Sequence, residues 1–525
     1  MLSLTPARNL TRSVLATHRR VLGMSKPVRS TVLRTQQIAS HFHTSRMHSQ
    51  RPSTPSLASD TSKTMTDRTP TFNQPQSQTE VIQHKHEYGR EFILNRPKAL
   101  NALTLDMVRS MTPQLLAWDK SDLCNVIILK SSSERAFCAG GDVKKVVEGV
   151  QAQDKDFATF FQEEYVLNDL LGSVTTPIVA LIDGITMGGG VGLSVHAPFR
   201  VATERTLFAM PETAIGLFPD VGGSHFLPRL DGALGKYLGL TGRQLKGKSV
   251  FWAGVATHYV PSERLPALEQ RLCELPTRDL EAVNSAIEEF SEEAAKLADP
   301  SEFSLYPYLG VIDRCFRHST VSEIVAALQR ELDNPTQHGP LLTAGELTGW
   351  VRETLGSLRA MSPTSLVVTN TLLNDGGSLS LKKCLQREFQ VVQKLAQSHD
   401  FVEGVTAKLV RRSKKPTQWK PASLEEVDER TIASQYFGGN GRSLKFLSEA
   451  DQSTPTNPKN FALVTENEVR KLLTSSGLKV TVPELSQYFN LKYQNKIGVD
   501  TKLRIILDTK FVVDPQNQFI SEPRE

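Results

Sequence analysis

The sequence predicts an α/β domain with a helical extension behind it and a small module at the C-terminal end. Three observations carry this. Apolar strand-like runs alternate with helical patterns from about Thr79 onward. From about Leu265 to Val410 the strand signals fade while helical patterns continue. Finally, 525 residues exceed one ordinary domain, and a hydrophobic fraction of 39% against 22% charged can bury a sizeable core.

Taken in order, residues 1–59 carry nine Lys/Arg and no acid; the first is Asp60. Arg8, Arg12, Arg19, Arg20, Arg29 and Arg34 are interspersed among Leu, Val, Ser and Thr. That is the composition of a mitochondrial presequence, expected over 1–46, with an unstructured linker over 47–78. Without residues 1–59 the count becomes 52 basic against 56 acidic residues, so the overall charge makes no case for nucleic acid. The longest uncharged run, Gly184 to Phe199, holds five glycines, a histidine and a proline. It falls short of the ~18–20 apolar residues a membrane helix needs, and no membrane insertion is expected. Cys124, Cys138, Cys273, Cys315 and Cys384 lie far apart with no Cys-x-x-Cys. That argues against a disulfide scaffold and a zinc finger.

The first domain is expected over 79–430. Glu91–Leu94, Asn125–Lys130 and Pro177–Ile182 read as strands, the last buried on both faces. Met107–Trp118 and Phe157–Leu171 read as helices between them. Helices are expected again at Leu280–Leu297, Val321–Leu332 and Leu381–Leu395. A basic run over 408–420 has six Lys/Arg and no acid; it is a solvated turn or an anion site. Residues 431–525 form the appended module, its role open. A helix is expected at Thr465–Leu473, and strands at Leu503–Leu507 and Lys510–Val513.

Four stretches could carry chemistry. Phe137-Cys-Ala-Gly-Gly-Asp follows a strand, and small residues there permit a tight turn that points peptide N–H groups into a cleft. Gly184-Ile-Thr-Met-Gly-Gly-Gly-Val-Gly links a buried strand to a helical pattern and can do the same. Two such loops in one domain suggest a backbone oxyanion hole. Met210-Pro-Glu-Thr-Ala-Ile-Gly-Leu-Phe-Pro-Asp-Val-Gly-Gly has two charges, Glu212 and Asp220, among apolar residues. They are either an acid–base pair or a first-turn acid and a helix cap. In the Phe157–Leu171 helix, Glu164 falls on the face of Phe157 and Phe161, where a carboxylate needs a partner or a function. Neither a Ser194–His196 pair nor Cys138 makes a convincing nucleophile.

Together these motifs resemble the enoyl-CoA hydratase/isomerase (crotonase) superfamily. Asn95-Arg-Pro-Lys-Ala-Leu-Asn-Ala-Leu and Asp400-Phe-Val-Glu-Gly match its beginning and end. Pro211–Gly223, Glu163-Glu-Tyr-Val-Leu-Asn and Pro363-Thr-Ser-Leu resemble the branch that hydrolyses 3-hydroxyisobutyryl-CoA in valine breakdown. The resemblance implies a crotonase-like spiral of ββα repeats binding an acyl-CoA in the mitochondrial matrix. Gly141 and Gly189 would supply oxyanion donors, and Glu164, Glu212 and Asp220 the cleft carboxylates. Lys98 and Lys144 would border the CoA phosphates. No metal or cofactor is implied. Where the hydratases place an acid after the second glycine loop, this chain has Gly192, which disfavours hydration. One relative of this branch belongs to the fungal mitochondrial small ribosomal particle, so a structural role with or without activity is the alternative. A homo-oligomer is compatible with the superfamily.

Overall fold

The computed structural model describes residues 79–335, 341–438, 441–448, 461–476 and 479–523. The expected presequence and linker lie outside them. Strand β1 (Val81–Lys85) pairs antiparallel with β2 (Gly89–Leu94), and β2 runs parallel to β3 (Val126–Ser131). The chain then steps to a second sheet for β4 (Ala136–Cys138), back for β5 (Ile178–Leu181), and across again for β6 (Ile185–Met187). It returns for β7 (Phe199–Ala202), crosses for β8 (Leu207–Ala209) and β9 (Leu245–Lys246), and ends the first sheet with β10 (His258–Tyr259). The six-stranded order is β1-β2-β3-β5-β7-β10 and the four-stranded order β4-β6-β8-β9. This alternation of consecutive strands between two sheets, with helices at the returns, is the crotonase spiral.

Side-chain alternation explains why the strands read as unbroken apolar runs. Val126, Ile128, Val179, Leu181, Phe199 and Val201 bury one face under the Leu265–Cys273 and Leu280–Glu288 helices. Ile127, Leu129, Ile178, Ala180 and Ala202 bury the other in the main core. With both faces covered, each position is apolar. Each Val, Leu, Ile or Phe side chain among them contributes about 1.5–3 kcal/mol on burial.

The helices Leu105–Asp119, Thr159–Ser173, Val321–Asp333 and Leu381–Leu395 occur where their periodicity predicts them. Their starts are set by caps: Thr320 with Glu323 forms a capping box, and Ser380 accepts the Lys383 N–H. The segment read as one helix over Leu280–Leu297 instead stops at Glu288 and resumes as a 3-10 turn at Ala294–Leu297. Between them Glu292 N–H is drawn away to Tyr259 O (3.0 Å), at the end of β10.

Beyond Phe461 the chain adds helices Glu466–Ser476, Val482–Lys492 and Val499–Lys510, and the hairpin β11 (Phe511–Val513)–β12 (Ile520–Pro523). The strand expected at Leu503–Leu507 is therefore part of a helix. Val499, Leu503, Ile506 and Leu507 are buried at helical spacing. A four-residue apolar run does not distinguish the two periods, and the longer window decides. All described residues belong to one compact unit. No helix among the described residues is long and apolar enough to cross a membrane.

Candidate active site

Three neighbouring parallel strands of the second sheet deliver the site from their C-terminal ends. β4 runs into Gly140–Gly141, β6 into Gly188–Gly189, and β8 into Met210–Pro211–Glu212. The first loop is laced to the preceding turn: Ala139 N–H donates to Leu100 O (3.0 Å), Leu103 N–H to Gly140 O, and Asp142 N–H to Leu103 O (both 2.8 Å). This lacing uses the groups on either side of Gly141 N–H. In the second loop Val191 and Gly192 donate to Gly188 O, and Gly189 opens the Gly189–Gly192 helix, where an N–H has no helical acceptor. Among the described residues neither the Gly141 nor the Gly189 N–H donates to a protein group.

The loops meet because neither carries a side chain. A Cβ on Gly189 would lie 3.1 Å from Gly141 N and 2.6 Å from Glu164 Oε1. One on Gly188, held at φ +47°, would lie 2.8 Å from Glu212 Oε1 and 3.5 Å from Gly140 Cα. The two free N–H groups and the two carboxylates thus share one small space. Gly192 points elsewhere on the same wall: a Cβ there would meet Val221 Cβ at 2.6 Å and Asn168 Nδ2 at 3.0 Å. Val221 and Asn168 fill the position an acid at 192 would need.

Glu164, Glu212 and Asp220 are 1%, 5% and 4% exposed, and no lysine or arginine among the described residues pairs with them. Burial lifts all three above the usual carboxylate range. The neighbouring charges of Asp220 and Glu212 raise Glu164 further, and that of Asp220 raises Glu212. Asp220 is pushed up to about 7, opposed by the hydrogen bond it accepts from Tyr165 OH (2.8 Å). Glu164 Oε1 and Glu212 Oε2 have no protein partner. Near neutral pH such a cluster holds fewer than three charges, so one member can carry a proton while another accepts one.

The segment presenting Asp220 is gripped from three sides. Tyr165 holds the carboxylate. His196 Nε2 lies 2.7 Å from Val221 O, and burial pushes that imidazole down to about 4, so it is the neutral ring that donates. Glu388 accepts from Gly222 N–H (2.8 Å), Ser224 N–H (3.0 Å) and Ser224 Oγ. Burial lifts the Glu388 carboxyl to about 8. Val221 itself sits at φ +52°, a conformation costly for a β-branched residue and sustained by these bonds.

The structure brings Gly141, Gly189, Glu164, Glu212 and Asp220 together as expected. Glu212 does open a 3-10 turn, Glu212–Ile215, but its carboxylate points into the cleft; the Asp220 side chain binds Tyr165 and caps no helix. Lys98 lies in the turn Pro97–Ala99, whose following residue Leu100 accepts from Ala139 N–H, and Lys144 lies at the start of helix Val143–Gln151, just after the first glycine loop; both are exposed. Cys138 is buried with its thiol pushed up to about 12, so it is inert packing. Tyr165, His196, Asn168 and Glu388 were not legible as site residues. For Glu388 the signal existed: it stands on the buried stripe Leu381, Cys384, Leu385, Phe389, Val392 of its helix, as Glu164 does on its own.

The enoyl-CoA hydratase/isomerase family model matches residues 90–437. The chain belongs to that family. It is 41% identical over 455 residues to the small ribosomal subunit protein mS47 of Neurospora crassa, covering 83% of this chain and 86% of that one. It is 45% identical over 367 residues to the mitochondrial 3-hydroxyisobutyryl-CoA hydrolase of Homo sapiens, covering 70% and 91%. Among solved structures, a carnitinyl-CoA dehydratase from Mycobacterium thermoresistibile superposes with TM-score 0.60 at 33% identity, over 70% of this chain and 99% of that one.

Proposed function

We propose that this chain hydrolyses (S)-3-hydroxy-2-methylpropanoyl-CoA, the 3-hydroxyisobutyryl thioester of valine breakdown, to 3-hydroxyisobutyrate and CoA. The observation that carries this reading is the meeting of two unpaired N–H groups and Glu212, on adjacent strand ends, with Glu164 from the Thr159–Ser173 helix, with no room for an acid at 192. The kinship with 3-hydroxyisobutyryl-CoA hydrolases supports the same chemistry.

The thioester oxygen lies between Gly141 N–H and Gly189 N–H. As a nucleophile adds to the carbonyl carbon, negative charge grows on that oxygen and the donors already face it; removing one such donor typically costs ~3 kcal/mol of barrier. Two routes use the remaining groups. Glu212 attacks, the C–S bond breaks, and the resulting mixed anhydride is cleaved by water. Alternatively, Glu212 takes a proton from water, which attacks directly. In both, Asp220 orients the water or the 3-hydroxyl and passes a proton to the departing thiolate. Glu164 closes the cleft as a binding contact. Lys98 and Lys144 meet the CoA phosphates from solvent. A thioester is already activated, so backbone donors and carboxylates suffice.

The deciding experiment is an acyl-CoA panel followed by free-thiol release. Rapid release from the 3-hydroxyisobutyryl thioester is expected, and hydration of crotonyl-CoA without thiol release would overturn the reading. Single turnover in oxygen-18 water tests the routes, since label in Glu212 requires an anhydride opened by water at the glutamyl carbon, whereas direct attack labels only the product.

A second reading has its own observation. The match to the ribosomal protein covers 83% of this chain, whereas residues 90–437 amount to about two thirds of it, so the likeness runs beyond the family region. A place in a mitochondrial small ribosomal subunit, alone or beside the thioesterase, accounts for that. Matrix localisation, with cleavage within residues 1–60, suits both readings. Sedimentation of mitochondrial extract, with protein and thiol release followed in each fraction, separates them: co-sedimentation with the small subunit supports the second.

A further inference from the structure

Asn168 stands on the Thr159–Ser173 helix, one turn after Glu164 and on the same face. It is 0% exposed, and neither Oδ1 nor Nδ2 meets a protein partner. A fully buried amide with no partner is costly, and an apolar side chain would fill the same space more cheaply. One carboxylate oxygen each of Glu164, a turn before it, and of Glu212 is also without a partner, and both side chains face the space where the acyl group reacts.

Two registers place Asn168 next to that space. On the glycine helix, Gly189 and Gly192 are one turn apart. On the facing helix, Glu164 and Asn168 are one turn apart. A Cβ at Gly189 would touch Glu164, and one at Gly192 would touch Asn168. The amide therefore lies on the wall that carries the Gly189 donor, ~5–6 Å further along by the i, i+4 spacing. In the proposed substrate the 3-hydroxyl oxygen is three bonds beyond the thioester carbon, a comparable reach.

We propose that Asn168 is the specificity residue for the acyl 3-hydroxyl, its Nδ2–H donating to the hydroxyl oxygen and its Oδ1 accepting the hydroxyl proton. This rests on the hydrolase reading above and sharpens it. An amide can donate and accept at once, which an ionised carboxylate cannot. Asp220, whose Oδ2 already accepts from Tyr165, is thereby left to the water and the leaving thiolate. Isobutyryl-CoA, which lacks the hydroxyl, would bury the amide unpaired. Sites built to hydrogen-bond a substrate hydroxyl reject such analogues strongly.

The test is kcat/KM for 3-hydroxyisobutyryl-CoA and isobutyryl-CoA with the full-length wild type, Asn168→Leu and Asn168→Asp. The wild type is expected to prefer the hydroxylated thioester by about 10²-fold or more. Asn168→Leu should cut that preference at least tenfold, chiefly through loss on the hydroxylated substrate. Asn168→Asp, closer in shape, loses the amide donor but keeps an acceptor, so it should lower the preference by less than leucine does, and it keeps the test open if the leucine variant does not fold. Equal losses on both substrates in a folded variant, or an unchanged preference, would overturn the proposal. So would a wild type that hydrolyses both thioesters equally, while the hydrolase reading stands. A wild type that releases no thiol from the hydroxylated substrate removes both.

Discussion

Asp220 shows what the site costs the fold. Its carboxyl is held near 7 by burial, against an ordinary value of 3.8. The sign follows from linkage: a carboxyl whose folded value is raised favours the folded state most fully below its unfolded value. That contribution is lost as pH rises through about 7. Asp220→Asn keeps an acceptor for Tyr165 OH and removes the buried charge. It should raise Tm at pH 8 by about 2 °C or more, leave it nearly unchanged at pH 4, and abolish most thiol release. A lower Tm at pH 8 would mean that the charge is compensated in the fold. Glu212→Gln carries the chemical counterpart: thiol release should drop by about 10²–10⁴-fold with near-native circular dichroism. Near-wild-type turnover would take Glu212 out of catalysis. Glu164 was legible because a charge interrupts an apolar helical face, and Glu212 and Asp220 because they are isolated among apolar and turn-forming residues. Asn168 was not, since an uncharged amide on such a face gives no such contrast; only the closeness of Gly192 exposes its role.

The glycine helix Gly189–Gly192 and the Asp220 segment act as one element pair. Their fit explains why the acid position of the hydratases cannot simply be refilled. A side chain at 192 meets Val221 Cβ at 2.6 Å, and Val221 is fixed at positive φ by His196 and Glu388 through its neighbours. Gly192→Glu is therefore expected to destabilise by about 1–3 kcal/mol or more, as overpacking does, without gaining hydration. Gly192→Glu with Val221→Gly opens the space and relieves the backbone. If any variant hydrates crotonyl-CoA, it should be this double one, measured by loss of enoyl absorbance. Hydration by the single variant at a useful rate would refute the steric account. At this scale the sequence was a good guide wherever period and caps agreed. It misread Leu503–Leu507 because the apolar run is shorter than the window that separates helix from strand, and overran Leu280–Leu297 because nothing local marks the diversion of Glu292 to β10.

At the scale of the molecule, the C-terminal segment is part of the core rather than a tail. Phe461 lies 4.7 Å from the Phe199 ring of β7, centroid to centroid, and closes the outer face of the first sheet. Three buried lysines then tie the segment to acids of the preceding body: Lys496 to Glu288, Lys502 to Asp231 (2.8 Å), and Lys510 to Asp313. Asp231 also accepts the Glu466 N–H, and Lys502 donates to Trp252 O (both 2.8 Å). None of this was legible, because each pair joins residues some 200 positions or more apart and a lysine gives no sign of its burial. The pairs make removal of one partner expensive: an uncompensated buried charge costs about 3–5 kcal/mol. Lys502→Ala should therefore lower stability by that order, and the loss should appear across the whole protein. Unfolding followed by tryptophan fluorescence, which reports Trp118, Trp252, Trp350 and Trp419, and by far-UV circular dichroism should give coincident single transitions for wild type and variant alike. Chains ending after Phe437 should express poorly, since they leave the outer face of β7 and the three acids uncovered. A soluble truncated chain with full thiol release, or two separate transitions in the intact protein, would instead make residues 461–523 an independent unit, available for a partner without consequence for the catalytic body.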